Sequence, residues 1–152
     1  MTQRDELNIS GLCESDVSQI AEIEKLCFSD PWSRESLKEE LTNPLAVYFV
    51  CRKGETVLGY IGTRMIADVC EIENVAVHPE HRRRGIAEKL LNALFSDLSE
   101  EICDVQLEVR ESNEPARALY EKLGFCACGR RKNYYEKPRE DAILYTRHIK
   151  EQ

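Results

Sequence analysis

The sequence of 152 residues contains no apolar run that approaches the roughly 18 residues of a transmembrane helix. It also lacks internal repeats, low-complexity tracts and a linker. A single domain over residues 1–152 is therefore the expectation, because a chain of this length can bury a substantial core. The first ten residues, MTQRDELNIS, are polar and do not have the apolar segment of a secretory signal, so we expect a cytoplasmic protein.

A surplus of positive charge is also missing, since the formal net charge is −7. This argues against a nucleic-acid partner, which requires a broad basic face. The charge is compatible with basic or amine partners. No direct nucleic-acid partner and no membrane are expected, and the expected oligomeric state is a monomer or a weak dimer.

Cysteine is present, but not in a pattern that indicates disulfides or a metal site. The seven cysteines are an odd number, and the one close pair is Cys126-x-Cys128. The three histidines do not supply the spacing that a zinc site needs. We therefore predict no metal and no disulfide framework, and we expect most of the thiols to be buried as small apolar groups.

Strand-like and helix-like patterns alternate along the chain. Residues 7–13, 45–53, 56–66, 69–78, 103–111, 125–135 and 141–149 are typical of strands. Helices are predicted after Asp16, with Gln19 as its capping-box partner, after Ser33 through Leu41, over 85–99, and from Asn113 to Gly124. The order is β-α-α-β-β-β-α-β-α-β-β, which predicts an α+β domain on a mixed sheet.

The most informative stretch is HPEHRRRGIAEKLL, residues 78–91. A strand turns there directly into a helix, whose first N–H groups are unpaired and positively polarised. Gly85 allows close backbone approach, Ala87 stays small, and three arginines precede the helix. Together these features predict a cradle for phosphate, although a solvated basic turn is the alternative. Neither the G-x-x-x-x-G-K-[ST] nor the G-x-G-x-x-G motif is present.

Arg82-x-x-Gly85-x-Ala87 resembles the pyrophosphate loop of the GNAT superfamily of N-acetyltransferases. The stretches ENVAVHPEHRRRGIAEKLL and EVRESNEPARALYEKLGF match the two halves of that family's coenzyme A site, and the resemblance covers about residues 7–149. It implies the GNAT fold, a mixed sheet of about seven strands flanked by four helices. FSDPWS, NYY and EDAILY narrow the resemblance to the RimI branch, whose bacterial members acetylate the N-terminal alanine of a small-subunit ribosomal protein.

The resemblance implies acetyl-CoA as co-substrate. The backbone of Val75–Val77 is expected to pair with the pantetheine arm, with the Val77 N–H as oxyanion donor. Asn113 is expected to serve both as a helix cap and as a CoA contact, and the sequence leaves open which role dominates. The complete set implied to bind acetyl-CoA is Val75, Ala76, Val77, Arg82, Arg83, Arg84, Gly85, Ile86, Ala87, Glu88 and Asn113.

Acetyl transfer requires that the amine lose a proton and that the departing thiolate gain one. The resemblance implies Glu108 as the base, where the alternative is a solvent-facing glutamate paired with an arginine. It implies Tyr120 as the acid, where the alternative is a core tyrosine. A histidine base, His78 or His81, is the less favoured option because both flank the phosphate loop.

Three aromatic residues, Trp32, Tyr134 and Tyr135, are candidates for the acceptor slot, and core packing is the alternative for each. The expected acceptor is the basic N-terminal peptide of a ribosomal protein, and the expected reaction is direct attack of its amine on the thioester. Two other functions stay open at this point. One is acetylation of another amine, such as lysine, a polyamine or a small molecule, and the other is a non-catalytic CoA-binding regulatory module.

Overall fold

The computed structural model describes residues 6–150, so both ends of the predicted domain, 1–5 and 151–152, lie outside the described residues. Within that range the strands are β1 Leu7–Gly11, β2 Ala46–Lys53, β3 Thr56–Ile66, β4 Val69–Val77, β5 Asp104–Arg110, β6 Cys126–Glu136 and β7 Arg139–His148. The helices are α1 Val17–Cys27, α2 Arg34–Glu40, α3 Ile86–Asp97 and α4 Glu114–Lys122. The predicted order of elements is confirmed.

The seven strands form one mixed sheet in the order β1-β2-β3-β4-β5-β7-β6. Strands β4 and β5 run parallel over Val69–Glu71, whereas β5, β7 and β6 pair antiparallel. The predicted fold class, a mixed sheet of seven strands with four helices, is thereby confirmed. Among the described residues, no helix has both the length and the apolar character needed to cross a membrane.

The chain divides into two compact units. The first comprises residues 6–64 and 74–98. Its core packs α1 and α2 onto β2 and β3, because these helices bury one apolar face each. The buried core residues include Val17, Ile20, Ile23, Leu37, Val50, Val57 and Tyr60.

The second unit comprises residues 65–73 and 99–150. Along β5 the side chains of Val105, Leu107 and Val109 are buried, as the alternating pattern predicts. Tyr145 of β7 is fully buried, and its hydroxyl donates to Glu121 at 2.6 Å and accepts from Arg117 at 3.0 Å. The intervening strand residue, Glu108, consequently lies on the opposite face of β5.

The predicted capping box of Asp16 and Gln19 is wrong. Asp16 makes no side-chain cap on α1, because its carboxylate accepts the Cys13 N–H and forms an ion pair with Arg52. The Gln19 side chain bonds instead to the backbone of Glu55 and Val57. These partners lie on β2 and around the start of β3, and local spacing carries no information about them.

The other helix signals are confirmed within a residue or two. Ser33 caps α2 by accepting the Ser36 N–H at 3.1 Å, and Gly124 follows α4 with a φ of 92°. Helix α3 ends at Asp97 rather than 99, so Leu98 falls outside it. Its buried face, Ile86, Leu90, Leu91 and Leu94, is wider than a strict four-residue stripe.

All seven cysteines are free thiols, but the expectation that most are buried is wrong. Cys51, Cys70 and Cys103 are buried, Cys27 is half-buried, and Cys13, Cys126 and Cys128 are exposed. Two of the exposed residues lie on β6, whose residues are exposed at nearly every position. That strand is at the edge of the sheet, so side chains there gain little cover.

Candidate active site

The loop between β4 and α3 has the backbone geometry of an anion cradle. Gly85 is the residue before α3 and has left-handed torsions, φ 74° and ψ 17°. Arg83 also has a positive φ, 66°, which is uncommon for a residue with a side chain. Two residues with positive φ, two positions apart, turn the chain sharply just before α3, and the helix dipole adds positive potential at that end.

Open space lies over this cradle. A Cβ built on Gly85 would meet no atom within 4 Å, so only its torsions require glycine in the free protein. Ile86 anchors the start of α3 in the core at 2% exposure, whereas Arg82, Arg83 and Arg84 are exposed. The residues therefore fit a pyrophosphate at this point, because the start of a helix, exposed cations and unfilled space coincide.

A close contact between β3 and β4 supports the strand that precedes the loop. A Cβ on Gly59 would lie 2.7 Å from the Ala76 carbonyl oxygen and 3.3 Å from Ile86 Cγ2. Only glycine therefore lets β3 approach the backbone that the resemblance assigns to the pantetheine arm. The parallel β4–β5 pairs end at Glu71, before Val75–Val77.

Arg82 folds back on the end of β4. Its Nε donates to the Val77 carbonyl at 3.4 Å, and its guanidinium lies 3.3 Å from the Cys27 sulfur. The Cys27 thiol also approaches the Val77 carbonyl, at 3.5 Å. Arg82 thus ties the loop to its strand, while Arg83 and Arg84 supply exposed charge.

His78, Glu80 and His81 place possible metal-ligand atoms within 4.8 Å of one another, a cluster that the sequence analysis did not predict. His78 Nδ1 accepts the Glu80 N–H, and His81 Nδ1 accepts from Arg84 at 3.2 Å. In a neutral ring whose Nδ1 accepts a hydrogen bond, the hydrogen is on Nε2. A cation that binds Nδ1 would therefore have to break the hydrogen bond made there. Burial, followed by the charges of Arg84 and His78, lowers the pKa of His81.

In the second unit, Glu108 projects from the half-buried face of β5. Its Oε1 accepts from Arg131 Nε at 3.1 Å, and the two side chains are 26% and 56% exposed. The arginine pairing that was the alternative for this glutamate is therefore present. An ion pair this exposed is weak, so a charged acceptor can compete for the same carboxylate.

Tyr134 and Tyr135 lie on β6 near that carboxylate. The hydrogen bond of the Tyr134 hydroxyl to Glu108, and next its partial burial, raises the pKa of Tyr134. Burial, and then the Glu108 charge, raises the pKa of Tyr135 to about 12. Tyr134 is half exposed, whereas the Tyr135 ring is covered by the Arg110 guanidinium at 4.3 Å.

Tyr120 lies on the buried face of α4, and its ring contacts Phe125 and Tyr145 at centroid distances of 5.7 and 6.2 Å. Burial, followed by the charge of Tyr135, raises the pKa of Tyr120 to about 12. Within residues 6–150 its hydroxyl donates to no protein acceptor, and the residue as a whole is 8% exposed. It is a packed ring whose proton is retained at neutral pH.

Asn113 caps α4 by accepting the Ala116 N–H at 3.3 Å, and its side chain is exposed. Of the two roles expected for Asn113, helix cap and CoA contact, the structure has the helix cap. The bond is long, and an exposed amide can also donate through its NH₂ group.

Trp32 lies in the connection between α1 and α2 and lines a cavity of about 500 Å³. The cavity is lined by Asp30, Pro31, Trp32, Ser33, Ser36, Glu39, Glu40, Asn43 and Arg64. Glu40 accepts from Arg64 at 2.8 Å, and its side chain is 3% exposed. Three carboxylates against one guanidinium give the cavity an excess of negative charge, which suits a cationic ligand.

Glu24 is a buried carboxyl group that was not among the residues predicted for the site. It is 0% exposed and accepts hydrogen bonds from the Trp32 N–H, the Tyr60 hydroxyl and the Asn74 amide. A signal was available, since Glu24 falls four residues after Ile20 and seven after Val17 on the apolar face of α1.

Comparisons with known proteins agree with this geometry. The family model described as Acetyltransferase (GNAT) family matches residues 17–125. The chain is 33% identical over 147 residues to a Mycobacterium tuberculosis protein named N-alpha-acetyltransferase RimI, covering 93% of this chain and 92% of that protein. It is 32% identical over 139 residues to [Ribosomal protein bS18]-alanine N-acetyltransferase of Escherichia coli, covering 90% and 93%.

Solved structures are similar over nearly the whole chain. The crystal structure of the Escherichia coli ribosomal-protein-S18-alanine N-acetyltransferase has a TM-score of 0.87 at 31% identity, covering 97% of this chain and 96% of that chain. Arabidopsis thaliana NAA60 in complex with acetyl-CoA has a TM-score of 0.86 at 19% identity, covering 95% and 99%, and shows a shared fold.

Proposed function

The chain belongs to the acetyltransferase (GNAT) family and is an N-acetyltransferase, and we propose that it acetylates the N-terminal alanine of a small-subunit ribosomal protein. The loop of Arg83 and Gly85 carries the acetyl-CoA part of this proposal, because it combines two positive-φ residues, the start of α3 and open space beside Gly85. The acceptor part rests on the relatives, which are named for alanine N-acetylation of ribosomal protein bS18.

Acetyl-CoA, when bound, supplies the thioester that the amine attacks. In the proposal, Arg82–Glu88 hold its pyrophosphate and the backbone of Val75–Val77 lies along its pantetheine arm. This strand segment lies beyond the last β4–β5 pair, which supports its availability. The Val77 N–H would donate to the oxyanion, and Asn113 would add a contact to CoA.

Glu108 is the proposed base. An α-amino group has a pKa of about 8, so a carboxylate, directly or through a water, suffices to take its proton. The exposed pair with Arg131 supports this role, because it holds the carboxylate on the accessible face of β5 and yields to a competing cation.

Tyr120 is the proposed acid for the departing thiolate. With its pKa raised to about 12, chiefly by burial, it is protonated at any physiological pH. Its ring is packed against Phe125 and Tyr145, which fixes the position from which the hydroxyl would donate to sulfur.

The acceptor is proposed to be a basic N-terminal peptide that contacts Trp32, Tyr134 and Tyr135. The excess negative charge of the cavity beside Trp32 supports a basic peptide. Residues 1–152 are proposed to act as one N-acetyltransferase domain, since the family match runs without a break through residues of both units. A cytoplasmic location is proposed because ribosomal subunits lie in that compartment, and a monomer or weak dimer is proposed alongside it.

Mass spectrometry of ribosomal proteins incubated with the enzyme and acetyl-CoA tests the acceptor. We expect a mass increase of one acetyl group on the N-terminal peptide of one small-subunit protein that begins with alanine. A peptide with a pre-acetylated N-terminus is the matched control and should stay unmodified. Modification of lysine side chains alone, or of no peptide, contradicts the proposed acceptor.

The same reaction tests the assigned acid. Tyr120→Phe removes one hydroxyl and keeps the buried ring, so acetyl-CoA affinity should be largely retained while transfer slows. Retention of full activity by both Tyr120→Phe and Glu108→Gln would show that the catalytic assignment is wrong.

A further inference from the structure

We propose that Glu24 is a positioning residue for acceptor binding, which fixes the Trp32 backbone at the wall of the acidic cavity. The inference rests on the proposed function, because Trp32 is a proposed acceptor contact. It assigns a purpose to a buried carboxyl group that the catalytic mechanism does not use.

The first argument is the cost of placing a carboxylate at this position. Glu24 is 0% exposed, and no lysine, arginine or histidine of the described residues forms an ion pair with it. Burial raises the pKa of the Glu24 carboxyl, although the hydrogen bonds from Trp32 and Tyr60 lower it. A buried carboxyl group, charged or neutral, destabilises a fold unless its oxygens are hydrogen-bonded, and a leucine would suit the apolar face of α1. What the carboxyl adds at this position is the hydrogen bonds of its two oxygens.

The second argument is how the two oxygens are used. Oε1 accepts the Trp32 backbone N–H at 2.8 Å. Oε2 accepts from the Tyr60 hydroxyl of β3 and from the Asn74 amide of β4, the latter at 3.3 Å. One oxygen is thus fixed to the sheet, and the other holds the connection between α1 and α2. The residue joins that connection to a rigid part of the unit.

The third argument is what the connection needs. Residues 28–33 are outside both helices, and the Ser33 cap holds them from the α2 side. The bond from Glu24 holds them one residue earlier, at Trp32, whose side chain lines the cavity with Asp30 and Glu39. Without this bond the backbone must be ordered when the acceptor binds, and that ordering reduces affinity.

The test compares steady-state kinetics of Glu24→Met with those of the wild type on a basic peptide that begins with alanine. Methionine fills a similar volume without any hydrogen-bond acceptor. We expect the acceptor KM to rise about tenfold, as for the loss of one ordered contact of ~1.4 kcal/mol, with the acetyl-CoA KM within about twofold. Glu24→Gln should rescue the acceptor KM to within about threefold, because one oxygen can still face the Trp32 N–H.

Ile23→Val is the control for a purely structural role, since it removes one methyl group from the buried core of the same helix and leaves every hydrogen bond of Glu24 in place. Its acceptor KM should stay within about twofold of the wild type even if its melting temperature falls. An acceptor KM that rises in Ile23→Val as much as in Glu24→Met overturns the proposal. So does a glutamine variant as impaired as the methionine variant. If Glu24→Met does not fold, Glu24→Asp replaces it, because its shorter side chain draws the oxygens away from Trp32.

A double-mutant cycle shows whether Glu24 acts through Trp32. In a Trp32→Ala background, Glu24→Met should change the acceptor KM by less than about twofold. An equal rise in both backgrounds overturns the proposal. Failure of the proposed acceptor is a separate result, seen when the wild type acetylates no N-terminal peptide but turns over another amine. The Glu24 variants are then measured on that amine.

Discussion

The phosphate loop and the Glu108 face of β5 differ in how far apart along the chain their parts lie. Arg83 and Gly85 form the cradle through their own torsions, with the space above it open. Glu108 is engaged by Arg131 and Tyr134, which are 23 and 26 residues away on another strand. A site made of backbone can therefore be read from a short motif, whereas one made of side chains depends on strand register.

The largest expected effect is a loss of kcat on changing Glu108, with no matching change at the phosphate loop. Glu108→Gln should lower kcat by about 10²–10⁴-fold, the usual contribution of a general base, and leave the acetyl-CoA KM nearly unchanged. The loss should be greatest below pH 8, where the α-amine carries its proton, and should shrink at higher pH. Gln106→Ala, on the same face of β5, is the control. Equal kcat values in the glutamate variant and the wild type would remove the catalytic role from this face.

The next effect is on the free energy of unfolding at alkaline pH, and it arises from Tyr120 in the second unit. Because burial raises the pKa of Tyr120 to about 12, the folded protein keeps a proton that the unfolded chain loses near pH 10. The contribution of the protonated Tyr120 to the free energy of unfolding is fully present below pH 10 and is lost as the pH rises toward 12. The loss amounts to roughly 2–3 kcal/mol. Denaturant unfolding of Tyr120→Phe should show a shallower alkaline decline, and an identical decline would contradict the assignment.

A substitution at Gly85 tests the backbone nature of the loop. Gly85→Ala should cost about 1–2 kcal/mol of stability from its positive φ alone, since the added Cβ meets no atom within 4 Å. It should also raise the acetyl-CoA KM by about tenfold, because the Cβ enters the space of the cradle. Gly124→Ala, also at positive φ but after α4, should lose stability without the change in KM. Equal KM values in the two variants would refute the cradle.

The smallest expected effect is at Arg83, where one substitution separates the backbone contribution to stability from the side-chain contribution to acetyl-CoA affinity. Arg83→Gly should raise stability by up to about 1 kcal/mol, because glycine adopts a φ of 66° without strain. Acetyl-CoA affinity should nonetheless fall by about threefold to tenfold, through loss of the exposed guanidinium. Asn133→Gly, with a φ of 52°, serves as the control for the backbone effect. Calorimetric titration and thermal unfolding give both quantities, and unchanged affinity would leave the side chain without a role.

The fold was largely predictable because its signals are local. Alternation along β5, the Ser33 and Asn113 caps and the Gly124 stop all act within four residues, and each is confirmed. The capping box at Asp16 was predicted by the same logic and is wrong, because the distant Arg52 side chain takes the carboxylate. The prediction that most cysteines are buried was also wrong, since residue type does not tell whether a strand lies at the edge of a sheet.

By itself, the sequence determined the order of elements, the glycine and arginine positions of the loop, and the family. These depend on contiguous residues and on backbone preferences that act over one helical turn or one strand. Only the tertiary structure decided that Glu108 pairs with Arg131, that Tyr120 is packed between Phe125 and Tyr145, and that Glu24 holds Trp32. Those contacts join residues from different elements, and burial then sets how strongly each interaction counts, because the cost of an unpaired charge depends on its surroundings.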